Sequence, residues 1–247
     1  MFSNELQQSL LEALPDDAAR EVREQVGRAL SAALKEAGSV LWVGGWMLGG
    51  DRSDGRSPYG FGNDAVVGLA TIVQIAGELC SGIVLLLDEG NAYSAAALLR
   101  QMVETEYLAW AFTEEKTEAA VWMRASRDDR VRMWQPRHIR DRSEGRFRTA
   151  DYHRHCETGG HPTPDARRLL PDHHDLPIVL LWLELAYHGV STWQYFEKAA
   201  NDFGYGDQLA TASKIRDLRT TINEWQQKDR LRMLKEYVRE HGTGDRG

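Results

Sequence analysis

The sequence predicts an all-α protein, a bundle of about seven to eight helices around a buried central helical hairpin. Three observations carry that prediction. Apolar residues crowd both arms of the stretch from Glu78 to Phe112, and the only turn-forming cluster between them is Asp88-Glu89-Gly90-Asn91. Elsewhere apolar residues recur at the three- and four-residue spacing of one helix face. Alternating β-branched runs bounded by turn residues, the signature of strands, do not occur.

Taken in order, residues 3–14 place Leu6, Leu10, Leu11 and Leu14 at helical spacing before Pro15. A second helix starts at Asp16 or Asp17, whose carboxylates suit a helix N-terminus, and runs through Val22, Val26, Leu30 and Leu34 toward Trp46. Residues 1–50 therefore form an N-terminal helical segment. Residues 49–64 are dense in Gly, Ser, Asp and Pro and read as a long loop. From Ala65 to Leu87 nearly every turn is apolar on all sides, which requires neighbours all round. Its partner, Ala92 to Phe112, carries the run Ala95-Ala96-Ala97, small enough for close helix approach. Residues 114–135 continue as one helix into an arginine-rich tract. In 151–175 the pairs Gly159-Gly160 and His161-Pro162, with Pro164 and Pro171, break the chain into short turns. Helices then run from Pro177 to Ala200 and, with a bend near Gln226-Gln227-Lys228, from Asp207 to Glu240. The whole is one structural domain, with a helical core at 65–200 and an amphipathic C-terminal helix at 207–241.

Composition narrows the function classes. A hydrophobic fraction of 42% and a charged fraction of 27% are ordinary for a globular protein. The net charge of −7 argues against polyanion binding by bulk charge, although a local basic face remains open. Cys80 and Cys156 sit in unlike surroundings and suggest no disulfide framework, so a reducing cytoplasm is the expected compartment. The acidic, amphipathic N-terminus is unlike a secretory signal. The run Val40 to Leu48 is too short to span a bilayer, and no membrane partner is expected.

Chemistry is expected at three places. Arg100 and Glu104, one helical turn apart in the second arm of the hairpin, form a polar focus with Glu78. Glu184 and His188 share that spacing on a later helix that could face the hairpin. The tract from Arg124 to Arg148 is rich in arginine interleaved with Trp122, Trp134 and Phe147. Within it Arg137, Arg140, Arg142 and Arg146 are the candidate contacts for RNA or another phosphate-bearing ligand. Five of the eight histidines lie in 151–175. His153, His155, His161, His173 and His174 are alternative metal ligands, but no Cys-x-x-Cys or His-Glu-x-x-His anchor accompanies them, and no cofactor is expected. A His-x-His pair on a helix also points its two imidazoles to different sides.

Gly90, then Ala95, Leu98-Leu99-Arg100 and Glu104, with a later Tyr152 and His161-Pro162, resemble the pattern of a family of bacterial all-helical proteins catalogued as a domain of unknown function. The likeness covers roughly residues 65–200. More distantly the chain is similar to the HEPN superfamily of helical toxin and defence ribonucleases, which place an Arg, four to six intervening residues and then a His at a dimer interface. Arg148 and His153 have that spacing, as do Arg132/His138, Arg154/His161 and Arg168/His173. The resemblance implies a homodimeric, metal-independent endoribonuclease. In it His153 would move the proton of the ribose 2′-hydroxyl and Arg148 would stabilise the phosphorane charge, with Tyr152, His161, Arg100 and Glu104 in support. A non-enzymatic helical scaffold and a metal-dependent hydrolase using the His-rich tract are the alternatives.

Overall fold

The structure is a computed structural model that describes residues 17–47, 63–115, 118–170, 176–229 and 232. The described residues are helical throughout and contain no strand, so the expected all-α bundle is what the chain forms. Ten α-helices follow in order: α1 (Asp17–Met47), α2 (Asp64–Asp88), α3 (Ala92–Glu114), α4 (Glu118–Arg124), α5 (Arg127–Trp134), α6 (Pro136–Arg142), α7 (Thr149–His155), α8 (Leu176–Asp202), α9 (Gly206–Thr211) and α10 (Ser213–Lys228). A π-helical turn (Cys156–Gly160) and a 3-10 turn (Pro164–Leu169) lie between α7 and α8. The expected helix at 3–14, most of the 49–64 loop, His173, His174 and nearly all of the chain beyond Asp229 lie outside the described residues.

The central hairpin is α2 and α3. Asn63 caps α2 by accepting from the backbone N–H of Ala65 and Val66, and Asn91 caps α3 by accepting from Ser94. Between the arms Gly90 takes φ 72°, the left-handed conformation that a glycine adopts without steric cost. By length and composition α2 could cross a bilayer. In the fold it packs on α1, α3, α4 and α8, which accounts for its apolar circumference. The N-terminal segment belongs to the same core. Val26, Leu30, Leu34 and Leu41 of α1 are fully buried with Leu69 and Ile83 of α2, Leu99 and Met102 of α3, and Trp182 and Trp193 of α8.

α1 runs past Trp46 as expected and crosses Gly44-Gly45, where α2 approaches closely: a side chain at Gly45 would sit 2.9 Å from Val67 Cγ2. Two boundaries differ from the sequence expectation, each for an identifiable reason. Residues 114–135 are two helices rather than one, since the Ser126 hydroxyl accepts from Asp129 N–H and starts α5 afresh. The C-terminal helix breaks at Ala212, where α1 supplies the cap: Glu36 Oε2 accepts from Lys214 N–H at 2.9 Å.

A buried ion pair fixes α10 to α1. Arg23 Nε and Nη2 each donate to Asp229 at 2.6 Å, and the two side chains are 1% and 0% exposed. Trp225 Nε1 donates to the same carboxylate at 2.8 Å. A second pair, Arg124 Nε to Asp64 Oδ2 at 2.5 Å, ties α4 to the start of α2.

Candidate metal centre

The segment after α3 delivers a histidine into the core by a sequence of tight turns. Glu144 and Gly145 both take positive φ and reverse the chain between α6 and α7. Phe147 then anchors α7 by stacking on Tyr107, ring centroids 4.1 Å apart, and by an edge contact with Trp110 at 5.5 Å. Beyond His155 the π-helical turn lies on the backbone of α3. A Cβ at Gly159 would stand 2.5 Å from the Ala96 carbonyl oxygen and 2.7 Å from Ala97 N. Only glycine permits that approach, and the turn thereby sets the end of α7 against α3 and α8.

At that point His155, Glu184 and His188 converge. His188 Nε2 is 3.2 Å from Glu184 Oε2, His155 Nε2 is 3.9 Å from the same oxygen, and the imidazole centroids are 5.1 Å apart in an edge arrangement. One ligand atom from each residue lies within 4.8 Å of the others. Behind them Glu106 of α3, 6% exposed, lies 2.6 Å from His188 Nδ1. In the tautomer that carries its proton on Nδ1, His188 donates to Glu106 Oε2 and Nε2 keeps a lone pair that can ligate an ion beside Glu184. Two imidazole nitrogens and one carboxylate oxygen then point at a common region, a donor set suited to zinc, iron(II) or manganese(II).

The second focus is a hydrogen-bonded triangle one turn earlier on α7. Arg100 Nη2 lies 2.8 Å from Glu104 Oε1 and donates to Tyr152 Oη at 3.2 Å, while the Tyr152 hydroxyl donates to Glu104 Oε1 at 2.8 Å. Burial pushes the Tyr152 phenol up to about 12, with Glu104 reinforcing and Arg100 opposing, so it stays protonated. Burial works against the Arg100 charge, but Tyr152, Glu104 and Cys156 together hold it above its ordinary value. The pair is half-buried, with Arg100 and Glu104 26% and 29% exposed.

Several expected members lie elsewhere. Glu78 is on the opposite face of α2, 75% exposed, with Lys35 at 3.2 Å as its partner. It is outside the focus because α2 turns that face to solvent. His161 is exposed past the π turn. Arg148 and His153 are both exposed on α7, and His153 and His155 do face opposite ways. Of His153, His155 and His161, the described members of the five histidines weighed as ligands, only His155 joins the cluster. In the arginine-rich tract Arg142 pairs with Glu118, Arg146 donates to Tyr195 at 3.3 Å, Arg140 stacks on Tyr152 and Arg137 lies 3.9 Å from Asp141; Arg137, Arg142 and Arg146 are exposed and Arg140 is half-buried.

Sequence reasoning missed Glu106. Its signal was available, an acidic residue inside an apolar arm that lies opposite a helix carrying Glu184 and His188 at one-turn spacing. Comparison of this chain with family models, with curated proteins and with solved structures finds no match.

Proposed function

We propose that the chain is a mononuclear metal-dependent enzyme of the hydrolytic class, its ion held by His155, Glu184 and His188. The observation that carries this reading is the convergence of the three donors with Glu106 set behind His188. A histidine that ligates a metal through Nε2 typically donates its other N–H to a carboxylate, which fixes the tautomer and raises ligand basicity. Three protein ligands leave a coordination position for water, and a divalent ion there lowers the pKa of that water toward neutrality and polarises the substrate. Glu184 and His188 come from one helix and His155 from the end of α7, beside the packed turn, so the donors are held in place before the ion arrives.

Zinc titrated into the chelator-stripped protein is expected to bind at one ion per chain and to raise the melting temperature. His188→Ala abolishes that binding, and Glu106→Gln weakens it by about tenfold or more, with the melting temperature of the apoprotein little changed. Calorimetry checks both. Failure to bind zinc, iron(II) or manganese(II) stoichiometrically, or undiminished binding by His188→Ala, overturns the reading.

The ribonuclease reading stays as the second, favoured by the exposure of both Arg148 and His153 on α7, where a polymer could reach them. It requires RNA cleavage in the presence of EDTA that is lost in both Arg148→Ala and His153→Ala, and cleavage surviving either change removes it.

A further inference from the structure

Tyr152 lies one helical turn before His155 on the same side of α7, and two guanidinium groups face its ring. Arg140 Cζ from α6 is 4.3 Å from the ring centroid and Arg100 Cζ from α3 is 5.8 Å away. Their donors are not used up. Arg140 Nε and Nη1 and Arg100 Nε are buried and donate to nothing among the described residues. Arg100 already shares Glu104 with Tyr152, whereas no carboxylate among the described residues lies within ion-pair distance of Arg140. Tyr152 cannot serve as the missing acceptor for both. Its oxygen receives Arg100 and its proton goes to Glu104.

Buried guanidinium N–H groups without acceptors are costly, and the Arg140 fork of Nε and Nη1 with Arg100 Nε, set around one aromatic ring, offers donors suited to a planar or tetrahedral oxyanion. Stacking on Tyr152 holds the Arg140 fork in place, so little ordering remains to be done when an anion arrives. The side chains of Arg100 and Glu104 are about a quarter exposed, which gives the seat a way in from solvent.

We propose that Arg140 and Arg100 seat the phosphate of a phosphate-ester substrate, placing the scissile region one turn away at His155, Glu184 and His188. A phosphomonoester carries up to two charges and three non-bridging acceptor oxygens, which matches two guanidinium groups better than a carboxylate does. That the phosphate belongs to a substrate of the metal centre rests on the metal reading above; that the two arginines bind phosphate does not. Glu104 borders the seat, and Arg100 and Tyr152 already pair with it and hydrogen-bond it.

The test separates the two readings. Inorganic phosphate titrated into the full chain in EDTA is expected to bind at a single site. Arg140→Met weakens it at least tenfold. Arg140→Lys, which keeps the charge over the Tyr152 ring but loses the fork, falls between the two. Acetate at the same concentration binds at least tenfold more weakly than phosphate. If phosphate does not bind, if Arg140→Met leaves it unchanged in a protein that melts normally, or if acetate binds equally well, the phosphate seat is wrong whatever zinc does. In the zinc-loaded protein phosphate affinity is expected to rise, and a rise that His188→Ala removes ties the seat to the metal. No change on zinc loading overturns the link between them.

Discussion

Replacing Asp229 by alanine is expected to destabilise the protein by about 3–5 kcal/mol, lowering the melting temperature by about 10 °C. The size follows from what remains. Arg23 is 1% exposed and uses two of its nitrogens on Asp229, so the substitution strands a guanidinium in the core between α1 and α10. Trp225 Nε1 loses its acceptor as well. Removing both charges costs less than removing one, because a buried ion pair contributes little net stability once its desolvation is counted. The double variant Arg23→Met, Asp229→Leu is therefore expected to melt above Asp229→Ala, and thermal unfolding followed by circular dichroism reads both. A double variant that melts below the single one would show that the pair contributes more than the avoidance of a lone charge.

Gly159→Ala carries the second large effect, and it links packing to the metal centre. The added methyl meets the Ala96 carbonyl and Ala97 nitrogen, which are backbone atoms of α3 and cannot rotate aside. Relief comes only by moving the π-helical turn away from α3, at about 1–3 kcal/mol for overpacking of this kind. His155 precedes the turn directly, so its imidazole moves with it. The variant is expected to lose at least tenfold in zinc affinity while remaining folded, a result that His155→Ala should match and Gly90→Ala, where a Cβ meets nothing within 4 Å, should not. Equal zinc affinity in Gly159→Ala and the parent would mean that the turn does not position the ligand.

The sequence and the structure agree best where a local rule decides the outcome. The α2–α3 hairpin was legible from its apolar arms and its turn cluster, and the caps Asn63 and Asn91 that the structure adds also act within a few residues. The helix break at Ser126 obeys the same capping chemistry and went unread although Ser126 stands three residues before Asp129. The break at Ala212 could not be read locally, since the cap is Glu36, 178 residues away. The candidate centre divides the same way. Glu184 and His188 were visible as a one-turn pair, and Arg100 with Glu104 likewise. That Arg100 and Glu104 meet Tyr152 while Glu106, two residues on, meets His188 depends on how α3 is rotated between α7 and α8. Burial of one face over another determines that rotation, and spacing within α3 alone does not reveal it. Glu78 failed for the same reason, its residue type having suggested a partner that its helix face denied it.

The hairpin and the Arg23–Asp229 pair stand at opposite ends of the chain's loop-closure scale. The two arms of the hairpin meet across a turn of a few residues, whereas the ion pair joins positions 206 apart. Closing a short loop costs little entropy and rewards it at once, so α2 and α3 are the natural nucleus. Helix α10 then docks late and is the first to leave. In stopped-flow kinetics Asp229→Ala is accordingly expected to accelerate unfolding while leaving the folding rate nearly unchanged. The pair thus acts as a latch on the lifetime of the native state, and a folding rate that slowed in proportion would place α10 in the nucleus instead.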